Sequence, residues 1–168
     1  MATDSSEYEQ FIAKLINDIE ATHRDIHFLC SGAKCRLMGG LGQKHQIDVA
    51  FEDRTFNPTK LVLIECKLNN PKYHVGPDVI KMLAFNGCDL AKNTKYPNDY
   101  LLIVCSTSAF TSGAKKLANA LGMKLERVSF ASDYTFRYEN IILAAFGDGV
   151  RLGDDVSCTV HHADGTVD

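Results

Sequence analysis

Apolar residues recur at helical spacing near the N-terminus, where Tyr8, Phe11, Ile12, Leu15, Ile16 and Ile19 share one face. Ser6 followed by Glu9 has capping-box form, so a helix is expected over about Glu7 to Thr22. The period then shortens. Asp25 to Cys30 and Lys34 to Met38 look like short strands separated by Ser31 and Gly32, and Gly39, Gly40 and Gly42 loosen the chain after them. Gln46 to Glu52 and Lys60 to Leu68 are the two clearest strands; a polar turn with Asn57 and Pro58 joins them into a β-meander. Pro77 and Asp78 suit a helix start, and Val79, Ile80, Leu83, Leu90 and Ala91 carry a stripe to about Asn93, weakened at Gly87. Tyr100 to Cys105 is an unbroken apolar run, expected as a strand covered on both faces. Thr111 or Ser112 can cap a further helix to Leu121, ended by Gly122, and Lys124 to Phe130 follows as a strand. Strand, helix, strand, helix, strand implies right-handed parallel crossovers.

Beyond Ser132 the pattern changes to two short strands, Asn140 to Phe146 and Val156 to His162, around a Gly- and Asp-rich turn. No repeat, low-complexity tract or Pro- or Ser-rich linker sets this part aside, so residues 1–168 are read as one domain. It comprises a core over about 6–130 and a C-terminal β-hairpin extension, 133–168, expected to pair with the main sheet or with another subunit as a homodimer. The fold class expected is α/β, a mixed central β-sheet flanked by helices.

Composition narrows the partners. The 168 residues are 45% hydrophobic, enough for one core, and the net charge of -3 excludes a global basic field toward nucleic acid. Any contact with a polyanion must use a local cluster. The longest apolar runs are far too short to cross a bilayer, and the chain opens on polar, acidic residues rather than a secretory leader. A soluble intracellular protein, cytoplasmic or nuclear, with no membrane partner is expected. Cysteines 30, 35, 66, 88, 105 and 158 form no C-x-x-C pair and several sit in apolar runs, so buried reduced thiols are expected rather than zinc ligands.

The chemistry concentrates in the meander. Alternation along 60–68 puts Leu61, Leu63, Glu65 and Lys67 on one face, which turns from apolar to charged at its end. In the preceding strand Gln46, Asp48 and Ala50 share a face, with Asp48 between apolar neighbours, and a hairpin can set Asp48 across from Glu65. Two opposed carboxylates repel, a cost that a bound cation relieves. Hard oxygen donors with room for water favour Mg²⁺ or Mn²⁺, an ion able to polarise a phosphodiester and activate water. Lys67 would orient or deprotonate that water, or neutralise charge developing on the phosphate.

The order of these residues resembles the PD-(D/E)xK nucleases, whose core is a helix, a β-meander bearing D…ExK, a helix and another strand. The match is Asp48 followed by Glu65-Cys66-Lys67. Tyr8-Glu9, the Gly-rich approach to Gln46-Ile47-Asp48-Val49 and the segment Cys105 to Lys116 look like Mrr-type restriction endonucleases; Holliday-junction resolvases are similar in layout. The resemblance covers about residues 6–130 and implies a restriction endonuclease-like fold and a metal-dependent DNA endonuclease, with catalytic Asp48, Glu65, Lys67 and Glu9 and metal ligands Asp48 and Glu65. By it Glu9 reaches the metal directly or through water. The sequence departs from the family at Gln43-Lys44-His45-Gln46, where an Asp is usual, and at Asn86, the nearest substitute for a helix glutamine. Lys34, Arg36, Lys44 and Lys72 are expected to rim the site and bind nucleic acid, with Gln46 touching substrate or a metal-bound water; Lys92, Lys95, Lys115 and Lys116 extend the track.

Plainer readings compete. Glu65 and Lys67 two apart on a strand also fit a surface ion pair, and the capping box alone accounts for Glu9. The same fold could also serve as a catalytically silent nucleic-acid-binding or assembly module.

Overall fold

Strand alternation in the middle of the chain becomes a five-stranded sheet in the computed structural model, which describes residues 5–22, 24–68 and 72–127. The elements are α1 (Ser5–Thr22), β1 (Ile26–Ser31), a single 3₁₀ turn (Gly32–Lys34), β2 (Arg36–Met38), β3 (Lys44–Gln46), β4 (Val49–Asp53), β5 (Lys60–Lys67), α2 (Pro77–Leu90), β6 (Asp99–Ser106), α3 (Ser112–Ala120) and β7 (Lys124–Arg127). The main sheet runs β1-β4-β5-β6-β7, while β2 and β3 form a separate two-stranded ribbon. Strands β1, β4 and β5 pair antiparallel as the expected meander, and β5, β6 and β7 pair parallel across the helical crossovers. The described residues all fall in the first of two units, Met1–Phe130. The hairpin expected at 140–146 and 156–162 lies outside them.

The sheet is covered on both faces, which is why its central strands are apolar along their middles. On one side Ala50, Leu61, Leu63, Leu102 and Val104 pack with Ile80, Leu83 and Leu90 of α2 and Ala114 and Ala118 of α3. On the other, α1 packs against β1, β4 and β5 with Tyr8, Ile12 and Ile16 fully buried. Each such side chain contributes about 1.5–3 kcal/mol on leaving water. Gly87 faces β6 from α2: a Cβ there would lie 2.7 Å from Leu102 Cδ2, so a larger residue would have to displace that side chain. Thr111 caps α3 as expected, accepting from Ala114 N at 3.1 Å.

Three expectations change. Helix α1 begins at Ser5, so Ser6 lies within it, and its hydroxyl accepts from the Gln10 amide at 3.3 Å. The strand expected over Gln46 to Glu52 breaks at Ile47–Asp48, because Ile47 N donates to Cys35 O at 3.0 Å and Asp48 O accepts from Gly32 N at 2.7 Å. These bonds divert the backbone from the main sheet and change its phase: Ile47 joins the cluster of Ala50 and Leu63 rather than the face of Val49 and Phe51. Finally, Cys30 and Cys35, expected as reduced thiols, form a disulfide with Cα atoms 5.1 Å apart. The intervening turn, with Gly32 at φ 67°, folds the chain back to allow it. Cys66 and Cys105 are buried free thiols, as expected, while Cys88 is exposed. Among the described residues no helix is long and apolar enough to cross a membrane.

Candidate active site

The C-terminal end of β5 is where charge enters the core. The pairing of β4 with β5 ends at Val49↔Ile64, which leaves Asp48 beside the end of β5, and Asp48 Oδ2 accepts from Cys66 N at 2.7 Å, reaching across to the backbone of the neighbouring strand. Beyond β5 the chain is tied down by Thr107 N donating to Lys67 O at 3.1 Å, and Val75 and Phe110 form a parallel bridge. The strand end is therefore held from both sides.

Glu65 and Asp48 are only 5% and 8% exposed. Burial pushes the Asp48 carboxyl above its usual range, against the Cys66 N–H bond and the Lys67 charge. Burial likewise raises Glu65, reinforced by Asp48 and more weakly by Glu9, while Lys67 opposes it. Lys67 Nζ lies 2.5 Å from Glu65 Oε1. Burial pulls the Lys67 ammonium down, but its hydrogen bond to Glu65 and the charges of Glu65 and Asp48 more than offset this and raise it. One ammonium thus stands against two carboxylates, with a third close enough to add to their repulsion.

These groups face a cleft of about 360 Å³ lined by Glu9, Gln46, Asp48, Glu65, Cys66, Lys67, Leu68 and Met82. The four expected catalytic residues and Gln46 thus meet at one place. Glu9 lies within α1 beside the Gly32 turn. Lys34, Arg36, Lys44 and Lys72 are exposed but do not line the cleft. Arg36 and Gln46 are cross-strand partners on the ribbon, and Lys44 shares their outward side. Asn86 is buried on α2 and does not line the cleft. Met82 lines it without having been singled out from the sequence, where a methionine in a helical stripe carries no signal of its own.

The donor set fits a hard divalent cation. All its charged donors are carboxylate oxygens, both central ones are held where charge is disfavoured, and the cleft has room for water. Among the described residues no group of three or more His, Cys, Asp or Glu side chains is placed to hold a metal ion. Two carboxylates completed by water or phosphate oxygens suit Mg²⁺ or Mn²⁺ rather than a closed zinc cage.

No family model and no curated protein matches the chain. Among solved structures it resembles AF1548, a protein of unknown function, at a TM-score of 0.55 and 19% identity over 73% of this chain and 57% of that one. EndoMS in complex with double-stranded DNA is similar at 0.51 and 18% identity, over 79% of this chain and 48% of that one. A repair endonuclease from Pyrococcus abyssi is similar at 0.50 and 18% identity, over 76% and 50%. The chain spans about half the length of these proteins. At such identities the shared property is architecture: this chain has the restriction endonuclease-like fold, a mixed sheet flanked by helices.

Proposed function

We propose that this protein is a divalent-metal-dependent DNA endonuclease of the PD-(D/E)xK type, nearest in pattern to Mrr-type restriction endonucleases. The observation that carries this reading is the convergence of Asp48, Glu65 and Lys67 on one cleft, with both carboxylates buried and held above their usual range. A fold shared with EndoMS and a repair endonuclease supports it.

Asp48 and Glu65 would hold Mg²⁺ or Mn²⁺, with Glu9 reaching the site from α1. When bound, the ion supplies Lewis-acid polarisation of the phosphodiester and a coordinated water of lowered pKa. Lys67, kept in place by Glu65, presents an ammonium that balances charge developing on the phosphate. Gln46, at the cleft wall, contacts a phosphate oxygen of the substrate. Lys34, Arg36, Lys44 and Lys72 supply exposed cations for the phosphates, and with a net charge of -3 binding is weak and strongly salt-dependent.

Incubating the purified protein with supercoiled plasmid and with a four-way junction, in Mg²⁺, Mn²⁺ or chelator, tests the reading. Metal-dependent nicking or linearisation is expected, and the preferred substrate separates a general endonuclease from a junction resolvase. DNA binding without cleavage in any metal would instead identify a silent binding module.

A further inference from the structure

The loop at Gly39 to Gly42 does more than loosen the chain. It closes the β2–β3 ribbon through Gly39 N to Gln43 O at 2.7 Å, with Gly42 at φ 79°. It then docks on the C-terminal end of α2. His45 Nε2 lies 2.6 Å from Asp89 Oδ2, Leu41 N donates to Asp89 Oδ1 at 2.8 Å, and Gly40 N donates to Asp89 O at 2.9 Å. Asn93 Nδ2 adds a bond to Met38 O at 2.7 Å.

The fit is close. A Cβ on Gly39 would lie 1.9 Å from Asp89 Oδ2, and one on Gly40 would lie 2.4 Å from Lys92 Cβ. His45 and Asp89 are 7% and 2% exposed, and Phe85 sets its ring edge-on to His45 with centroids 5.9 Å apart. The hydrogen bond from His45 holds the Asp89 carboxyl below its usual range, against the burial that would raise it. A single carboxylate thus gathers a helix end, a loop and a strand.

That strand carries the substrate candidates. His45 sits between Lys44 and Gln46, whose side chains take the opposite side with Arg36. Fixing His45 from below therefore fixes the height and tilt of the outward face. We propose that the His45–Asp89 pair is a latch that positions the cationic ribbon face of Arg36 and Lys44 for DNA binding, acting on substrate affinity rather than on bond cleavage. The inference rests on the endonuclease reading above.

Steady-state cleavage of a labelled duplex in Mn²⁺ tests it. Asp89→Ala should raise KM about tenfold, the loss expected for one charge-assisted hydrogen bond, and leave kcat within about twofold. Asp89→Asn, which keeps an acceptor for Leu41 N and a hydrogen-bonding partner for the His45 ring, should recover most of the loss. Gly40→Ala displaces the loop without altering the His45 and Asp89 side chains, and should raise KM in the same way even if Asp89→Ala does not fold. In an Arg36→Ala/Lys44→Ala background, Asp89→Ala should no longer change KM, because the face it positions is gone. Additive effects, or an equal fall in kcat, would overturn the latch. A wild type that neither binds nor cleaves DNA overturns the endonuclease reading and the latch with it, whereas active wild type with unchanged KM in Asp89→Ala and Gly40→Ala overturns the latch alone.

Discussion

Two buried acidic clusters begin three residues apart, at His45 and at Asp48, and are satisfied in opposite ways. Asp89 is matched: a histidine and a backbone N–H take its two oxygens, and its ionised form is favoured despite burial. Asp48 and Glu65 are mismatched: burial, reinforced at Glu65 by the charge of Asp48, outweighs one lysine and one N–H, and both carboxyls are held above their usual range. Burial of a carboxylate therefore does not mark a site. An excess of buried negative charge facing a cleft does, since nothing in the fold gains from it.

The comparison breaks most visibly on activity. Asp48→Ala, Glu65→Ala and Lys67→Ala should each reduce plasmid cleavage by at least about a hundredfold while leaving the circular dichroism spectrum unchanged. Full activity in any one of them removes that residue from the mechanism.

Stability should move in opposite directions for the two clusters. Asp89→Ala leaves the buried His45 ring and the Leu41 N–H without their partner and should lower Tm by several degrees. Glu65→Gln removes a charge the apo fold disfavours and should leave Tm unchanged or higher. If both substitutions lower Tm alike in chelator, the two clusters are of one kind.

Titration sharpens the same contrast. Carboxylates with raised folded pKa, Asp48 and Glu65, stabilise the fold below their unfolded pKa and lose that contribution as pH climbs through the folded values. Asp89, with a lowered folded pKa, contributes above its unfolded pKa and loses this only as pH falls through the folded value. In chelator, wild type should therefore gain on Glu65→Gln as pH is lowered from about 7 to about 5. A constant difference in Tm across that window would contradict the raised value at Glu65.

Much of this was legible in the sequence because strong patterns are local. The uninterrupted apolar run at 100–105 and the apolar-to-charged change along 60–67 reflect burial on both faces of β6 and β5, and they survive in the structure. Asp48, Glu65 and Lys67 stood out for the same reason, charge at the end of an apolar strand. The break at Ile47–Asp48 was not legible, since QIDVAF alternates without a flaw. It is imposed by bonds to Cys35 O and Gly32 N, a dozen or more residues upstream. Asp89 left a signal that periodicity passed over: an acid beside Leu90 on the stripe of α2, and a Gly-Gly pair that only close approach requires. The Cys30–Cys35 bond depends on a turn that spacing alone does not predict.

The central claim, that Asp48 and Glu65 form a metal site rather than a structural ion network with Lys67, is tested most directly by thermal melts of wild type and Asp48→Asn at neutral pH, first in chelator and then in excess Mn²⁺. Asn keeps an oxygen for the Cys66 N–H while removing one charge. The apo variant should be as stable as wild type or more stable by about 0.5–2 kcal/mol, and Mn²⁺ should stabilise wild type but not the variant. A clear loss of stability in the apo variant, together with no Mn²⁺ shift in wild type, would contradict the account.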